Sequence, residues 1–357
     1  MNLSSLLLNK LLLISLIIFG VSCSSNNENS SDEKSNWNIS NGVEFPENRP
    51  LSRAEDGVML SDGTLIVADQ RHGLVKISVS GEVEPFGNFQ SLGYQHSPPK
   101  VESGPNGVHL TPDKQYVITA DVFSGIIYKS SIANNSTEII YSHKYGVNTA
   151  RLDSTGALWF TQSTENTNEE RLFGALNQTI SDGVLYRLTS SQDNNLSKIP
   201  QVILAGLNFA NGFYIDEERN KLYLSEMMSN RVLSFDLDTS SGSISNQRIL
   251  AAIPTPDNME LNYDGHLWVA SPLSNQIYAI NVETGEFQVV FDAQTEIGLD
   301  NMKEGVRRIG AGQGFANLLS PELTGDMPGL LTGMIIGNKH EPFYVANLGQ
   351  ALIKVDR

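Results

Sequence analysis

Short apolar runs that close on a polar or small residue recur along the chain: "LIVAD" (Leu65–Asp69), "YVITAD" (Tyr116–Asp121), "LWFTQ" (Leu158–Gln162), "LYLSE" (Leu222–Glu226), "LWVAS" (Leu267–Ser271) and "FYVAN" (Phe343–Asn347). Uninterrupted aliphatic, β-branched and aromatic runs of this length predict strands covered on both faces. Most follow a turn signal ("SDGT", "TPDKQ", "DSTGA", "DEERNK", "NYDGH") and lead into a second turn and an alternating strand, as in "SNRVLSFDLD" and "SNQIYAINVETG". Strand, turn, strand, turn, strand is the meander of a propeller blade. The six runs start 51, 42, 64, 45 and 76 residues apart, one blade each with two insertions. This order predicts an all-β fold, a six-bladed β-propeller with a central metal channel. A β-sandwich would supply comparable strands without so regular a sequence of motifs.

A second repeat lies ten or eleven residues before each run. It places Glu55, Asn106, Asn148, Asn211 and Asp257 at one phase, in "AEDGVML", "GPNGVHL", "GVNTARL", "FANGFYI" and "TPDNMEL"; in the last blade the step reaches Gly333. Taken singly, Asn-Gly or Asp-Asn is ordinary turn punctuation. Five carboxylates or carboxamides just before the first strand of successive blades predict a ring of side chains converging on one end of the channel.

Composition narrows the partners. The chain has 357 residues, 40% of them apolar, and a net charge of −16 without any cluster of Lys and Arg, which argues against a nucleic-acid partner. The one cysteine, Cys23, follows "MNLSSLLLNKLLLISLIIFGVS", whose apolar run Leu11–Phe19 is too short to span a bilayer and reads as the core of a secretory signal. Gly20-Val21-Ser22-Cys23 resembles a bacterial lipoprotein box, although Gly20 replaces the usual aliphatic residue. The expected organisation is a signal peptide over 1–22, a flexible polar tether over 23–42 and a propeller over 43–357. Acylation of Cys23 would anchor it on the periplasmic side of a bacterial membrane or at the cell surface.

The convergent atoms at the ring are hard oxygens, and none of the six histidines stands at an anchor. Such a set favours Ca2+, which takes several oxygen ligands and accepts water or substrate in the rest of its shell. An open, hard Lewis acid suits attack of water on a lactone or ester, with Asp257 the candidate to steer or deprotonate that water. No nucleophile elbow or phosphate-binding loop offers another chemistry. Met227, Met228, Trp159 and Trp268 read as packing residues, and His109 as a structural strand residue, with channel lining as its alternative.

At these residues the chain resembles the regucalcin/gluconolactonase (SMP-30-like), paraoxonase and strictosidine synthase-like superfamily of six-bladed propellers, most specifically in "FANGFYIDEERNKLYLSEMMSNRVLSF" and "TPDNMELNYDGHLWVAS". The resemblance implies a metal-dependent lactonase or esterase, with the divalent cation on Glu55, Asn148, Asn211 and Asp257. It adds Asp56 and Asn258 from the paraoxonase pattern and puts Asn106, a substrate-binding candidate, where paraoxonases carry a channel histidine. The stretch Leu158–Leu188 is most like strictosidine synthase, but Met334 stands near the place of that enzyme's essential glutamate. Two insertions, Glu165–Asp182 and about Glu296 to Leu331, are expected to shape specificity, the second as a helix offering Arg307 and Arg308 to an anion. The alternative is a non-catalytic propeller that binds a small ligand or partner at the same channel, or one whose ion only staples the blades.

Overall fold

In the computed structural model, residues 36–96, 103–165, 171–190, 196, 197 and 199–357 are described. Cys23, the signal segment and most of the tether lie outside them, as do residues 166–170 of the first insertion. The described chain forms six sheets built on antiparallel pairs of consecutive strands, five of four strands and one of five. Blades 1 to 5 run over residues 57–86, 105–142, 150–207, 210–251 and 259–292. Blade 6 comprises Leu331–Ile336, Phe343–Asn347 and Leu352–Val355, closed by the N-terminal strand Gly42–Phe45 paired antiparallel to Leu352–Val355. Joining an N-terminal strand to the C-terminal ones in one blade closes the ring of blades.

The apolar runs are the second strands of the blades. Leu65–Asp69 and Leu158–Gln162 are buried at every position, because each second strand lies between two neighbouring blades. Six of the apolar clusters each draw on two adjacent blades; one joins Ile66, Leu74 and Phe86 of blade 1 to Val117 and Tyr128 of blade 2. The hydrophobic core is therefore spread between blades, and the ring axis is left to polar residues. Outer strands meet water, as in Ser243–Ala251, where only the last two residues are buried.

The polar residue closing each run also has a structural reason. Asp121 Oδ1 accepts from the backbone N–H groups of Gly104, Phe123 and Ser124 at 3.0, 3.0 and 2.8 Å. Asp69 does the same for Ser52 and Arg71 at 2.8 and 2.9 Å, and Asn347 Oδ1 accepts from Gly349 N–H at 2.8 Å. These side chains tie the entry to an inner strand onto the top of the strand beside it.

Two expectations change here. The folded chain starts before Gly42: Trp37–Asn38 already pair in parallel with Phe291 and Asp292 of blade 5. Trp37 packs edge-on against Phe343 with ring centroids 5.1 Å apart, so the polar stretch before Gly42 contains an aromatic anchor. The second insertion does form a helix, Glu296–Gly310, capped by Thr295 Oγ1 accepting from Gly298 N–H. However, Arg307 and Arg308 both bind Glu304, at 2.7 Å each through Nε, and Arg308 also donates to Asn317 Oδ1 at 2.7 Å. They are spent within the insertion rather than offered to an anion.

That helix and the first insertion build a cap. Gln178 bridges to Gln313, and Phe315 N–H donates to Leu176 O at 2.9 Å. Their apolar side chains gather with Met227, Met228 and Leu273 from the blades. The two methionines are thus packing residues, as expected, but the packing is of cap on blade.

Candidate functional site

The first strands of the blades follow one another in a closed ring, and strand pairing fixes which residues share a level. Gly57, Val108, Ala150, Phe213, Met259 and Met334 each stand opposite the central residue of their second strand. Two residues earlier come Glu55, Asn106, Asn148, Asn211, Asp257 and, in blade 6, Thr332. The sixth member is Thr332, not Gly333: the hairpin Ile336–Phe343 is one residue longer than the step of ten allows. Thr332 Oγ1 donates to Glu55 O at 2.8 Å, so it closes the ring.

The next level down alternates: Asp56, Gly107, Thr149, Gly212, Asn258, Gly333. A Cβ at Gly107 would lie 3.0 Å from Thr149 Cα, one at Gly212 2.8 Å from Asn258 Cα, and one at Gly333 3.3 Å from Asn258 Nδ2. Neighbouring inner strands approach so closely that only every second blade can carry a side chain here. The Asn-Gly pairs at 106–107 and 211–212 are therefore close-approach sites inside strands, and neither glycine is among those with positive φ.

The ring side chains are buried, Glu55 at 2% and Asp257 at 6% exposure. Asn258 Nδ2 donates to Glu55 Oε1 at 3.0 Å. Glu55 Oε2, Asn211 Oδ1 and Asn258 Oδ1 have no hydrogen-bond partner. Asn211 Nδ2 rests 3.7 Å from Met227 Sδ, which brings the edge of the cap to the ring. Burial pushes the carboxyls of Glu55 and Asp257 up to about 8; Arg53 opposes this at both, while Asp257 adds to it at Glu55 and Asp56 adds to it at Asp257. Asp56 is likewise raised by burial and by Glu55, although it accepts from Val108 N–H at 2.8 Å.

Asn106 departs from the expected oxygen set. Its Oδ1 accepts from Arg53 Nη2 at 2.8 Å, and its Nδ2 donates to Asn148 O at 3.2 Å and Oδ1 at 3.3 Å. Its carbonyl is turned outward to Arg53 and its N–H groups inward. Asn148 Oδ1 also accepts from Thr149 Oγ1 at 3.1 Å. Carbonyl oxygens still free of donors are those of Asn211 and Asn258.

Below the ring a second polar group spans blades 2 to 5. Arg151 donates to Glu260 and to Met259 O and lies 4.9 Å from the Tyr214 ring centroid. His109 Nδ1 is 3.2 Å from Glu260 Oε1 but off the line of a hydrogen bond, and its Nε2 is 3.8 Å from Asp56 Oδ2. Burial lowers His109 to about 4, with Arg151 acting in the same direction. For Glu260, burial raises the carboxyl, yet Arg151 and His109 more than reverse it, to about 2. His109 stands between Glu260 and Asp56; no sequence signal links it to Glu260, because the contact joins inner strands of different blades. A cavity of about 540 Å3 opens at the far end of these strands, bounded by Met59, Leu110, Leu261 and Ile336. A groove of about 970 Å3 near Tyr116, Lys129 and Tyr141 is remote from the ring.

Among the described residues no group of three or more His, Cys, Asp or Glu is placed to hold a metal. The ring contains two carboxylates, and its other oxygens are carboxamide and hydroxyl. Those residues nonetheless fit a hard cation: buried oxygens lack donors, and two carboxylates are buried beside one half-buried guanidinium.

Residues 141–295 match the family model described as the SMP-30/gluconolactonase/LRE-like region. This span includes Asn148, Asn211, Asp257 and Asn258, but not Glu55 or Asn106. No curated protein matches the chain by sequence. Among solved structures, a gluconolactonase from Xanthomonas campestris is 15% identical, with 86% of this chain and 87% of that one covered and a TM-score of 0.58. A calcium-binding protein, regucalcin, from Agrobacterium tumefaciens is 12% identical over 90% and 95% of the two chains, with a TM-score of 0.57. A luciferin-regenerating enzyme is 17% identical over 88% and 95%, with a TM-score of 0.56. At such identities the shared property is the fold. The chain is a six-bladed β-propeller similar to the SMP-30/gluconolactonase/LRE-like proteins, with its sequence match lying in blades 3 to 5 and their flanks.

Proposed function

We propose that the chain is a metal-dependent hydrolase of a lactone or related carboxylic ester, with calcium as the preferred ion. The observation that carries this reading is the convergence of Glu55 Oε2, Asn211 Oδ1 and Asn258 Oδ1, all buried and without donors, beside the Asp257 carboxyl. Leaving such groups unpaired costs on the order of 1–3 kcal/mol each, so a cation is the natural partner of the set. Glu55, Asn211 and Asp257 would hold it, with Asn258 as a further oxygen; Asn148 would join them on releasing the donors of Asn106 and Thr149. When bound, a divalent cation supplies Lewis acidity toward an acyl oxygen and charge that keeps both carboxylates ionised.

The remaining tasks fall to the chain itself. Asp257 would accept the proton of the attacking water as its oxygen adds to the acyl carbon. The ring C–O bond then breaks, and the departing alkoxide takes that proton back from Asp257 to give a hydroxy acid, whose carboxyl ionises. Asn258, tethered through Nδ2 to Glu55, keeps the Glu55 carboxylate oriented. Asn106, whose N–H groups donate to Asn148, positions that side chain at the ring rather than meeting the substrate itself. The cap, which reaches Asn211 through Met227, limits water at that end. The protein would work at a membrane surface through acylated Cys23, and the mass of its N-terminal peptide tests that anchor: an unmodified Cys23 would remove it.

The test is proton release from a panel of sugar lactones, acyl lactones and aryl esters, with calcium and after chelation. Turnover should require the ion and fall about a thousandfold in Asp257→Ala. A folded, calcium-loaded chain that hydrolyses nothing in the panel would overturn the enzyme reading and leave a binding propeller.

A further inference from the structure

One cation of the chain stands beside the two ring carboxylates, and the reaction as derived gives it no task. Arg53 adopts a left-handed backbone conformation (φ 56°). A long side chain enters that region at some cost, and observed strain of this kind gathers at functional positions. Glu55 N–H donates to Arg53 O at 2.9 Å, a tight turn that sends both side chains from nearly one point of the backbone. The guanidinium is then fixed by three contacts. Nη1 donates to Pro105 O at 2.6 Å, Nη2 donates to Asn106 Oδ1 at 2.8 Å, and the group sits 5.6 Å from the Phe123 ring centroid.

No carboxylate pairs with Arg53 among the described residues; its two hydrogen bonds go to neutral carbonyl oxygens. A guanidinium has five N–H donors in a planar fork, and two are used here. Three N–H groups of the fork remain, one on Nε and one on each Nη, and a carboxylate is the partner that such a fork takes best. The position is also electrostatically odd. Arg53 acts on both Glu55 and Asp257, so next to a cation site it would repel the ion the site is built to take. A negative group lying between the two cations removes that conflict.

We propose that Arg53 binds an anionic group on the substrate, so that lactones bearing a carboxylate are the class this ring prefers. The inference rests on the hydrolase reading above and narrows its substrate.

A matched pair tests it: D-glucono-1,4-lactone and D-glucaro-1,4-lactone share ring and hydroxyl pattern and differ in a terminal hydroxymethyl or carboxylate group. The full chain should favour the glucarolactone in kcat/KM by about tenfold or more, the range of one charge-assisted bidentate contact. Arg53→Met should erase that preference, lowering kcat/KM for the glucarolactone at least about tenfold more than for the gluconolactone, and Arg53→Lys should restore part of it. Thermal melting of each variant checks that it is folded. If Arg53 is only a counter-charge for the ring, Arg53→Met will tighten calcium and change both lactones alike, which overturns the inference. Binding of both lactones is measured alongside by calorimetry. Arg53-dependent binding of the glucarolactone without turnover would keep the inference and sink the hydrolase reading. Hydrolysis of both lactones without preference would do the reverse, and no binding of either would overturn both.

Discussion

Two glutamates, Glu55 fully buried and Glu260 half-buried, meet opposite electrostatic fates. Glu260 is paired with Arg151 and approached by His109, and its carboxyl is held down at about 2. Glu55 is bonded to the neutral amide of Asn258, keeps one oxygen without any donor, and is pushed up to about 8. Both come from inner strands of the same kind. The difference lies in where the chain supplies its own cation. Below the ring Arg151 completes the group and the site is finished by the fold. At the ring the nearest guanidinium, Arg53, is turned to Pro105 and Asn106, and the carboxylates are left for something brought from outside.

The two regions should therefore titrate with opposite sign, and this is the largest effect expected. In the ion-free chain Glu55 and Asp257 carry raised carboxyls, so the folded state binds more protons than the unfolded one. Stability should fall as pH rises from about 4 to about 8, on the order of a few kcal/mol, and level off above. Glu260 is depressed, so its contribution is present above its unfolded value and lost as pH falls toward about 2. Thermal melts across this range, with and without calcium, separate the two: calcium should abolish the loss on the alkaline side and leave the acid side unchanged. A calcium effect of equal size on both sides would erase the distinction.

A smaller effect sharpens the lower region. Arg151→Met leaves Glu260 without its cation and should cost on the order of 1–3 kcal/mol in denaturant unfolding. Adding Glu260→Gln to it should recover most of that loss, since no unpaired charge then remains. If the double variant is as unstable as the single one, Arg151 matters through its packing on Tyr214 rather than through charge.

The sequence made much of this legible because a propeller repeats itself. Each second strand is an uninterrupted apolar run, and its closing Asp, Glu or Asn is a fixed accessory of the blade. Glu55, Asn148, Asn211 and Asp257 could be found from phase alone because their hairpins keep nearly one length. Thr332 was hidden by the longer hairpin of blade 6, which shifts the step by one residue. The Asn-Gly pairs looked like turns, since a glycine required by close approach and one required by positive φ read identically in sequence. Trp37 lay within a polar stretch, and its partners Trp268 and Phe343 are over two hundred residues away. Arg307 and Arg308 read as available in sequence, yet Glu304, three and four positions earlier on the helix, is within reach of both and takes them. The contact of His109 with Glu260 depends on ring closure, which no local pattern encodes.

The most direct measurement is calcium titration of the folded chain by calorimetry, comparing the parent with Glu55→Gln and Glu260→Gln. One site should appear in the parent, be lost or weakened at least about a hundredfold in Glu55→Gln, and persist in Glu260→Gln. Binding that survives Glu55→Gln unchanged, or no binding by the parent, would contradict a cation site at the ring.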